Sequence, residues 1–222
     1  WAKYYKHHYQ MVKNAQLTVF SPVLESKNPL DRWMLSELHA LIRDMTTELD
    51  RYDLMKALSH LVKFIDSLTN WYIRRSRRRF WMKANSPLRS ENDSDKNQAY
   101  ETLYTVLTTI TRLLAPVAPF ISEAMYRNLT GLSSVHLAEW PSWSEKLINE
   151  DLNREVGLAR QIVTLGHAAR AKAGIKVRQP LSKVEILAPE IPQQTEVIKE
   201  ELNVKELVFL STLQGKAKQV IR

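Results

Sequence analysis

The stretch Asn70-Trp71-Tyr72-Ile73-Arg74-Arg75-Ser76-Arg77-Arg78-Arg79-Phe80-Trp81 places five arginines within six positions, with aromatic residues on both sides. The window from Trp71 to Lys83 holds six basic residues and no acid, in a chain of 222 residues whose formal charge is +8. Arginine presents a planar, permanent charge that matches phosphate oxygens and stacks on bases. The stretch favours an RNA-binding surface, but a solvated helix end, or arginines paired with carboxylates in a bundle, would give the same composition.

Helical spacing sorts these arginines into two groups. An apolar stripe precedes them, formed by Leu54, Leu58, Leu61, Ile65, Leu68 and Tyr72. Arg75 and Arg79 continue this stripe, so they either hold buried acidic partners or emerge where the helix extends beyond the bundle, because a buried unpaired charge is too costly. We assign these two to structure. Arg74, Arg77 and Arg78 are the better candidates for binding a polyanion.

The composition narrows the function classes. The pI near 9.6 makes an acidic partner plausible. No apolar run is long enough to span a bilayer, and no signal-peptide pattern opens the chain, so we expect a cytoplasmic protein without a membrane partner. The absence of cysteine removes disulfides, thiolate catalysis and cysteine-ligated zinc. No histidine pair has metal-binding spacing, and no nucleotide-binding or hydrolase motif occurs. We predict no catalytic residue, no metal site and no cofactor within this chain.

The sequence pattern of the first half of the chain predicts helices. Residues 1 to 16 predict a helix with an aromatic stripe, followed by an irregular connection over 17 to 27. Asn28 and Pro29 then mark a helix start, with Asp31 favourably placed in its first turn, and this helix continues to about Asp50. Asp53 is expected to cap a second helix that runs to about Trp81. The two should pack antiparallel, because only two residues join them.

The second half changes character. We expect a surface loop over 84 to 98, a third helix from about Asp95 that breaks at Pro116 and Pro119, and a fourth that stops near Gly131. A fifth helix should span about 151 to 173, with packing positions Leu152, Val156, Ala159, Val163 and Gly166. Strand, helix and strand patterns follow at 183–187, 193–202 and 206–210 and predict a small α/β unit.

A second basic patch accompanies the fifth helix. No acid occurs between Val156 and Val184, whereas six basic residues do, namely Arg160, Arg170, Lys172, Lys176, Arg178 and Lys183. Lys176 and Arg178 fall in a predicted loop, where extended backbone can meet phosphates. Arg178 could instead form a salt bridge within the α/β unit.

Five stretches together resemble the isoleucyl-tRNA synthetases of class Ia. The quoted arginine-rich stretch is similar to the second-helix motif of their anticodon-binding domain. The other four, in the expected order, are Asn28-Pro29-Leu30-Asp31-Arg32-Trp33, the run Leu113-Leu114-Ala115-Pro116-Val117-Ala118-Pro119-Phe120-Ile121-Ser122-Glu123, Ser134-Val135-His136-Leu137-Ala138-Glu139-Trp140-Pro141, and Val177-Arg178-Gln179-Pro180-Leu181. The Trp-Tyr-Ile-Arg run indicates the isoleucyl branch over its valyl and leucyl relatives.

The resemblance implies a mainly α fold, in which an antiparallel helix bundle is followed by a long helix and a small α/β unit. We expect the end of a preceding connecting region over 1–27, the anticodon-binding bundle over 28–142, a linker and long helix over 143–182, and a truncated α/β subdomain over 183–222. The family attaches isoleucine to its tRNA with ATP and Mg²⁺. Its His-x-Gly-His and Lys-Met-Ser-Lys-Ser motifs are missing here, so the resemblance implies a fragment without the catalytic domain. Some bacterial relatives carry a cysteine-ligated zinc near the C-terminus; with no cysteine, this chain resembles the zinc-free, eukaryote-like branch, or else it ends before that site.

The expected function is therefore to bind and position isoleucine tRNA beside the catalytic domain of the same polypeptide. Arg74, Arg77 and Arg78 would contact phosphates, with Trp71 and Trp81 as candidate stacking residues, and Lys176 and Arg178 would form a second phosphate contact. Trp71 and Trp81 could equally belong to the packed interior. Two alternatives stay open, a stand-alone basic module that binds an acidic protein or anionic surface, and a small complete enzyme, for which the sequence offers no site.

Overall fold

The computed structural model describes residues 26–81 and 89–210, without the side chains of 89–93. The chain forms two compact units, the first ending at Asn149 and the second beginning at Glu150. Helices dominate both, and the second contains a two-stranded sheet, so the predicted mainly α fold is confirmed. The predicted helix over 1 to 16 lies outside the described residues. Within the described ranges no helix is both long and apolar enough to cross a bilayer.

Two capped helices begin the first unit. Helix α1 spans Pro29–Asp50, and the side chain of Asn28 accepts the Leu30 N–H at 3.0 Å. Helix α2 spans Leu54–Ser67, and Asp53 accepts the Lys56 N–H at 3.0 Å. These side chains satisfy N–H groups that lack a partner within the helix, which is why both helices start where the sequence predicts.

A π-helical turn interrupts the second helix. Leu68–Ile73 forms this wide turn, and the chain continues without a break into α3, Arg74–Trp81. A π turn holds an extra residue, so the buried face is displaced beyond it. The predicted single stripe is wrong at Leu54 and Ile65, which precede the turn and are 47% and 37% exposed. Ala57, Leu61, Phe64 and Leu68 form the buried face before the turn, and Tyr72, Ser76, Arg79 and Phe80 form it afterwards.

The remaining two helices of the first unit are α4, Arg89–Leu114, and α5, Pro119–Thr130. The predicted loop over 84 to 98 is wrong from residue 89 onward, because α4 begins there. Asp95 and Gln98, on its early turns, are held by side chains from other elements, and such contacts override weak helix propensity. The predicted breaks are confirmed, since α4 ends before Pro116 and α5 ends at Gly131 in the left-handed conformation (φ 73°).

Hydrogen bonds tie the connection after α5 to the helices of the first unit. Glu123 accepts the Val135 N–H at 2.8 Å, beside the short 3₁₀ turn Val135–Leu137. The Trp140 indole N–H donates to Thr46 Oγ1 at 2.9 Å. His39 Nδ1 accepts the Ser144 N–H at 3.2 Å, just before the 3₁₀ turn Glu145–Leu147. These bonds to α1 and α5 hold the tryptophan-containing segment against the helices.

The second unit is a parallel strand-helix-strand arrangement preceded by a long helix. Helix α6 spans Glu150–Lys172, strand β1 Leu181–Leu187, helix α7 Thr195–Leu202 after the 3₁₀ turn Pro192–Gln194, and strand β2 Val204–Leu210. The strands pair in parallel, with Leu181 opposite Val204 and Leu187 opposite Leu210. Helix α7 packs on α6 at Gly166, where a Cβ atom would collide with the buried Leu202 side chain. The predicted small α/β unit is confirmed.

Candidate nucleic-acid interface

Arg79 is a buried residue that ties α3 to two other helices. Its Nη1 and Nη2 atoms each donate to one carboxylate oxygen of Asp31, both at 2.7 Å. Its Nε and Nη2 atoms donate to the two carboxylate oxygens of Asp95 at 2.8 and 2.7 Å. The guanidinium is thus held by two forked pairs, one from α1 and one from α4, and such pairs fix the orientation of the planar group. Of the two roles predicted for Arg79, the structure shows the one with acidic partners.

The network extends beyond the three charges. Tyr72 O–H donates to Asp31 at 2.8 Å, and Ser26 Oγ donates to the other oxygen of the same carboxylate at 2.9 Å. Burial, followed by the charge of Asp31, raises the pKa of Tyr72 far above its usual value. Burial alone would lower the pKa of Arg79, but the hydrogen bonds that it donates to Asp31 and Asp95 raise this pKa above its ordinary value. Tyr72 therefore stays neutral and Arg79 stays charged at neutral pH. We call the set of Ser26, Asp31, Tyr72, Arg79 and Asp95 the Arg79 cluster.

Arg79 is turned inward, whereas three other arginines of α3 face outward. Arg74, Arg77 and Arg78 are exposed, as the sequence predicts for polyanion-binding residues. The Arg77 guanidinium lies 5.5 Å from the centre of the Trp81 ring, and Trp81 is 60% exposed. A cation above an aromatic ring is attracted to its face. This pair gives one exposed surface with a positive charge and a flat ring, the two features that an unpaired nucleotide can use.

Trp71 does not belong to that surface. It is 5% exposed, so its ring is a core group and offers little area for stacking, which corrects its prediction as a stacking residue. The guanidinium groups of Arg74 and Arg75 both lie 5.7 Å from its centre. Arg75 is only half-buried, in contrast to Arg79, although the predicted stripe placed the two together.

The second basic patch also contains both exposed and buried basic residues. Lys172, Lys176 and Arg178 are exposed in the second unit. Arg170, which the sequence placed in this patch, is buried instead, at 3% exposure. Its guanidinium donates to the backbone carbonyls of Leu202 at 2.7 Å and Gln179 at 3.0 Å, so it is a structural group. Its charge is compensated partly by the carbonyl end of α7.

Sequence reasoning missed the partners of the buried arginines, although a signal for them exists. Asp31 lies about one helical turn before Met34 and two before Leu38 on the buried face of α1, where an acid needs a positive partner. Arg170 likewise follows the packing positions of α6 by one turn. Asp95 has no comparable signal, since the Asn- and Ser-rich residues around it predict a loop.

Among the described residues, no group of three histidine, aspartate or glutamate side chains could hold a metal ion. His39 is half-buried, and burial lowers its pKa, which keeps Nδ1 an acceptor for Ser144. Cationic side chains are exposed in both units, and in the first unit they are accompanied by the exposed Trp81 ring. They are suited to bind a polyanion.

A comparison with known families gives the class of protein to which this fold and its basic surfaces belong. A family model described as the anticodon-binding domain of tRNA ligase matches residues 31–186, so the chain belongs to the family of tRNA ligase anticodon-binding domains. More particularly, it is similar to part of the isoleucine–tRNA ligases. The protein of Treponema denticola is 47% identical over 191 residues, which are 82% of this chain and 17% of that protein.

Two further relatives carry the same description. The isoleucine–tRNA ligase of Dehalococcoides mccartyi is 43% identical over 212 residues, 88% of this chain and 20% of that protein. That of Clostridium novyi is 41% identical over 206 residues, 88% of this chain and 19% of that protein. The chain thus spans at most a fifth of the length of these relatives. The predicted resemblance is confirmed, and membership of a zinc-free branch stays a prediction.

Proposed function

We propose that this chain is the part of an isoleucine–tRNA ligase that binds and positions isoleucine tRNA. The observation that carries the proposal is the outward face of α3, where Arg74, Arg77 and Arg78 are exposed beside Trp81 while Arg79 fixes the helix from inside. Phosphate contacts fix the register of a nucleic acid, and an exposed ring can stack on a base. Lys176 and Arg178 supply a second phosphate contact.

The rest of the ligase would supply the chemistry. In this proposal the catalytic domain of the same polypeptide binds ATP and Mg²⁺ and joins isoleucine to the tRNA, and the whole enzyme works in the cytoplasm. The present chain contributes affinity and orientation, since positioning a reactant converts binding energy into rate. It needs no cofactor for this role.

The decisive experiment measures binding of isoleucine tRNA and a non-cognate tRNA at several salt concentrations. The test variant is Arg77→Gln with Arg78→Gln. The control variant is Arg51→Gln with Arg127→Gln, which removes the same charge from exposed positions on the same unit. Each lost phosphate contact should reduce the slope of log affinity against log salt by about 1. We expect a reduction of about 2 in the test variant and little change in the control.

The outcomes separate the proposal from a general basic module. Equal losses in both variants, with no preference for either tRNA, would mean that only the overall charge matters and would favour the module. An unchanged slope in a folded test variant would remove α3 from the interface. A preference of the wild type for isoleucine tRNA would add that this part of the ligase also reads sequence.

A further inference from the structure

The turn that precedes β1 is held from inside the protein by a buried cation. We call residues 176–179 the basic loop. Arg170 Nη1 donates to the carbonyl oxygens of Lys176 at 3.1 Å and Gln179 at 3.0 Å. Its Nη2 donates to those of Leu202 at 2.7 Å and Asn203 at 3.2 Å. One guanidinium thus joins both ends of the basic loop to the carbonyl end of α7.

Asn203 holds the middle of the basic loop. It adopts the left-handed conformation after α7 (φ 51°), which Asn tolerates better than most residues. In this position its side-chain N–H donates to the Val177 carbonyl at 3.1 Å. Three of the four carbonyls of the basic loop are therefore bound by groups of the protein.

The direction of these carbonyls determines what the basic loop presents outward. In a trans peptide the N–H points opposite to the C=O of the same unit, and no peptide bond in the described chain is cis. The carbonyls of Lys176 and Val177 point toward Arg170 and Asn203, so the N–H groups of Val177 and Arg178 point away from them. The loop's residues are exposed, and consecutive outward N–H groups form a concave site for an anion.

Two cationic side chains and a lack of acids complete this arrangement. Lys176 and Arg178 are both exposed and flank Val177. No Asp or Glu occurs from Val156 to Val184, so no carboxylate from this segment competes for the loop. Fixed amide dipoles combined with a lysine and an arginine form the set of donors that a phosphate group requires.

We infer that the basic loop is a phosphate-binding site, formed by the N–H groups of Val177 and Arg178 with the side chains of Lys176 and Arg178. Arg170 and Asn203 are positioning residues, since both bind the loop's carbonyls from inside. The inference rests on the proposed function in taking an RNA phosphate as the natural ligand. It adds that the backbone contributes to the site, and that an arginine which contacts no RNA determines the shape of the site.

The test follows the amide resonances of Val177 and Arg178 by NMR while inorganic phosphate replaces chloride at constant ionic strength. The wild type should show saturable shifts at these amides. Asn203→Gly keeps the left-handed backbone but removes the bond to Val177. It should weaken phosphate binding about 2- to 10-fold, the range of one hydrogen bond. Lys176→Gln with Arg178→Gln should abolish saturation, whereas the control pair Lys172→Gln with Lys205→Gln should preserve it.

Shifts that stay linear with phosphate in the wild type would overturn the inference. So would a folded Asn203→Gly variant with wild-type phosphate affinity. Salt-dependent tRNA binding by the same variants separates this inference from the proposed function. If phosphate binds but no substitution in the loop changes the affinity for tRNA, the site exists and its role as a tRNA contact fails. If phosphate does not bind but α3 still contacts tRNA, only the present inference fails.

Discussion

Replacing Arg79 by methionine should strongly destabilise the first unit. The substitution keeps most of the apolar stem but leaves the carboxylate of Asp31, which is fully buried, with two neutral donors, Tyr72 and Ser26. Two charge-assisted hydrogen bonds to Asp31 are lost, each worth about 1.5–3 kcal/mol. Removal of one member of a buried ion pair costs about 3–5 kcal/mol overall. Asp95 is partly exposed and can recover water, so most of the loss comes from Asp31.

The assay is urea unfolding followed by tryptophan fluorescence. All six tryptophans lie at or before position 143, so their emission reports on the first unit and not on the second. We expect the free energy of unfolding in Arg79→Met to fall by about 3–5 kcal/mol. Arg127→Met is the matched control, because Arg127 forms an exposed pair with Glu123 at 3.9 Å, and it should lose at most about 1 kcal/mol.

A double variant distinguishes a network from a packing effect. Asp31→Asn with Arg79→Met removes both charges, so its loss should be clearly smaller than the sum of the two single losses. A loss of less than about 1 kcal/mol in Arg79→Met alone, with fluorescence unchanged in the folded state, would refute the role of the Arg79 cluster in stability.

Three further outcomes are expected. The hydrogen bond from the Val135 N–H lowers the pKa of Glu123. The stability that this carboxylate contributes is therefore present above its unfolded pKa and is lost as pH falls through the folded pKa. Urea unfolding from about pH 5 to 3 should show a smaller loss of unfolding free energy in Glu123→Gln than in the wild type. Burial lowers the pKa of His39, so the unfolded state takes up the proton first, and unfolding free energy should fall from about pH 7.5 to 5.5 in the wild type but less in His39→Gln. Gly166→Ala should destabilise the second unit by about 1–3 kcal/mol, because its Cβ would collide with the Leu202 side chain of α7. Gly157→Ala has open space around it and should stabilise the unit by about 0.5–1 kcal/mol. Thermal unfolding followed by circular dichroism measures both changes.

Features that depend on neighbouring residues were predictable from the sequence. Asn28 and Asp53 cap their helices where expected, and Gly131 ends α5, because a cap acts on backbone groups within a few positions of itself. The exposure of Arg74 and Arg77 was also predictable, since they lie opposite the stripe that includes Tyr72 and Arg79. Local chemistry alone decides each of these outcomes.

Features that depend on distant residues were not predictable from the sequence. The π turn holds an extra residue, which a single helical period cannot represent. The single stripe also placed Leu54 and Arg75 on the buried face, but Leu54 is exposed and Arg75 is half-buried. The start of α4 depends on Asp95, whose partner Arg79 comes from another helix. Arg170 was counted among surface charges because its acceptors are backbone carbonyls, which leave no trace in the residue types.

The ion pair between Arg79 and Asp95 also has a consequence for the length of the chain between their helices. The pair joins α3 to α4 on either side of residues 82–88, so the two ends of that segment are held together independently of its length. Each doubling of a connection between fixed ends costs only about 0.6 kcal/mol. This chain should therefore gain or lose residues between these helices at little cost in stability. The same position would suit a peptide tag or a fluorescent reporter, which could be inserted there without altering the outward face of α3.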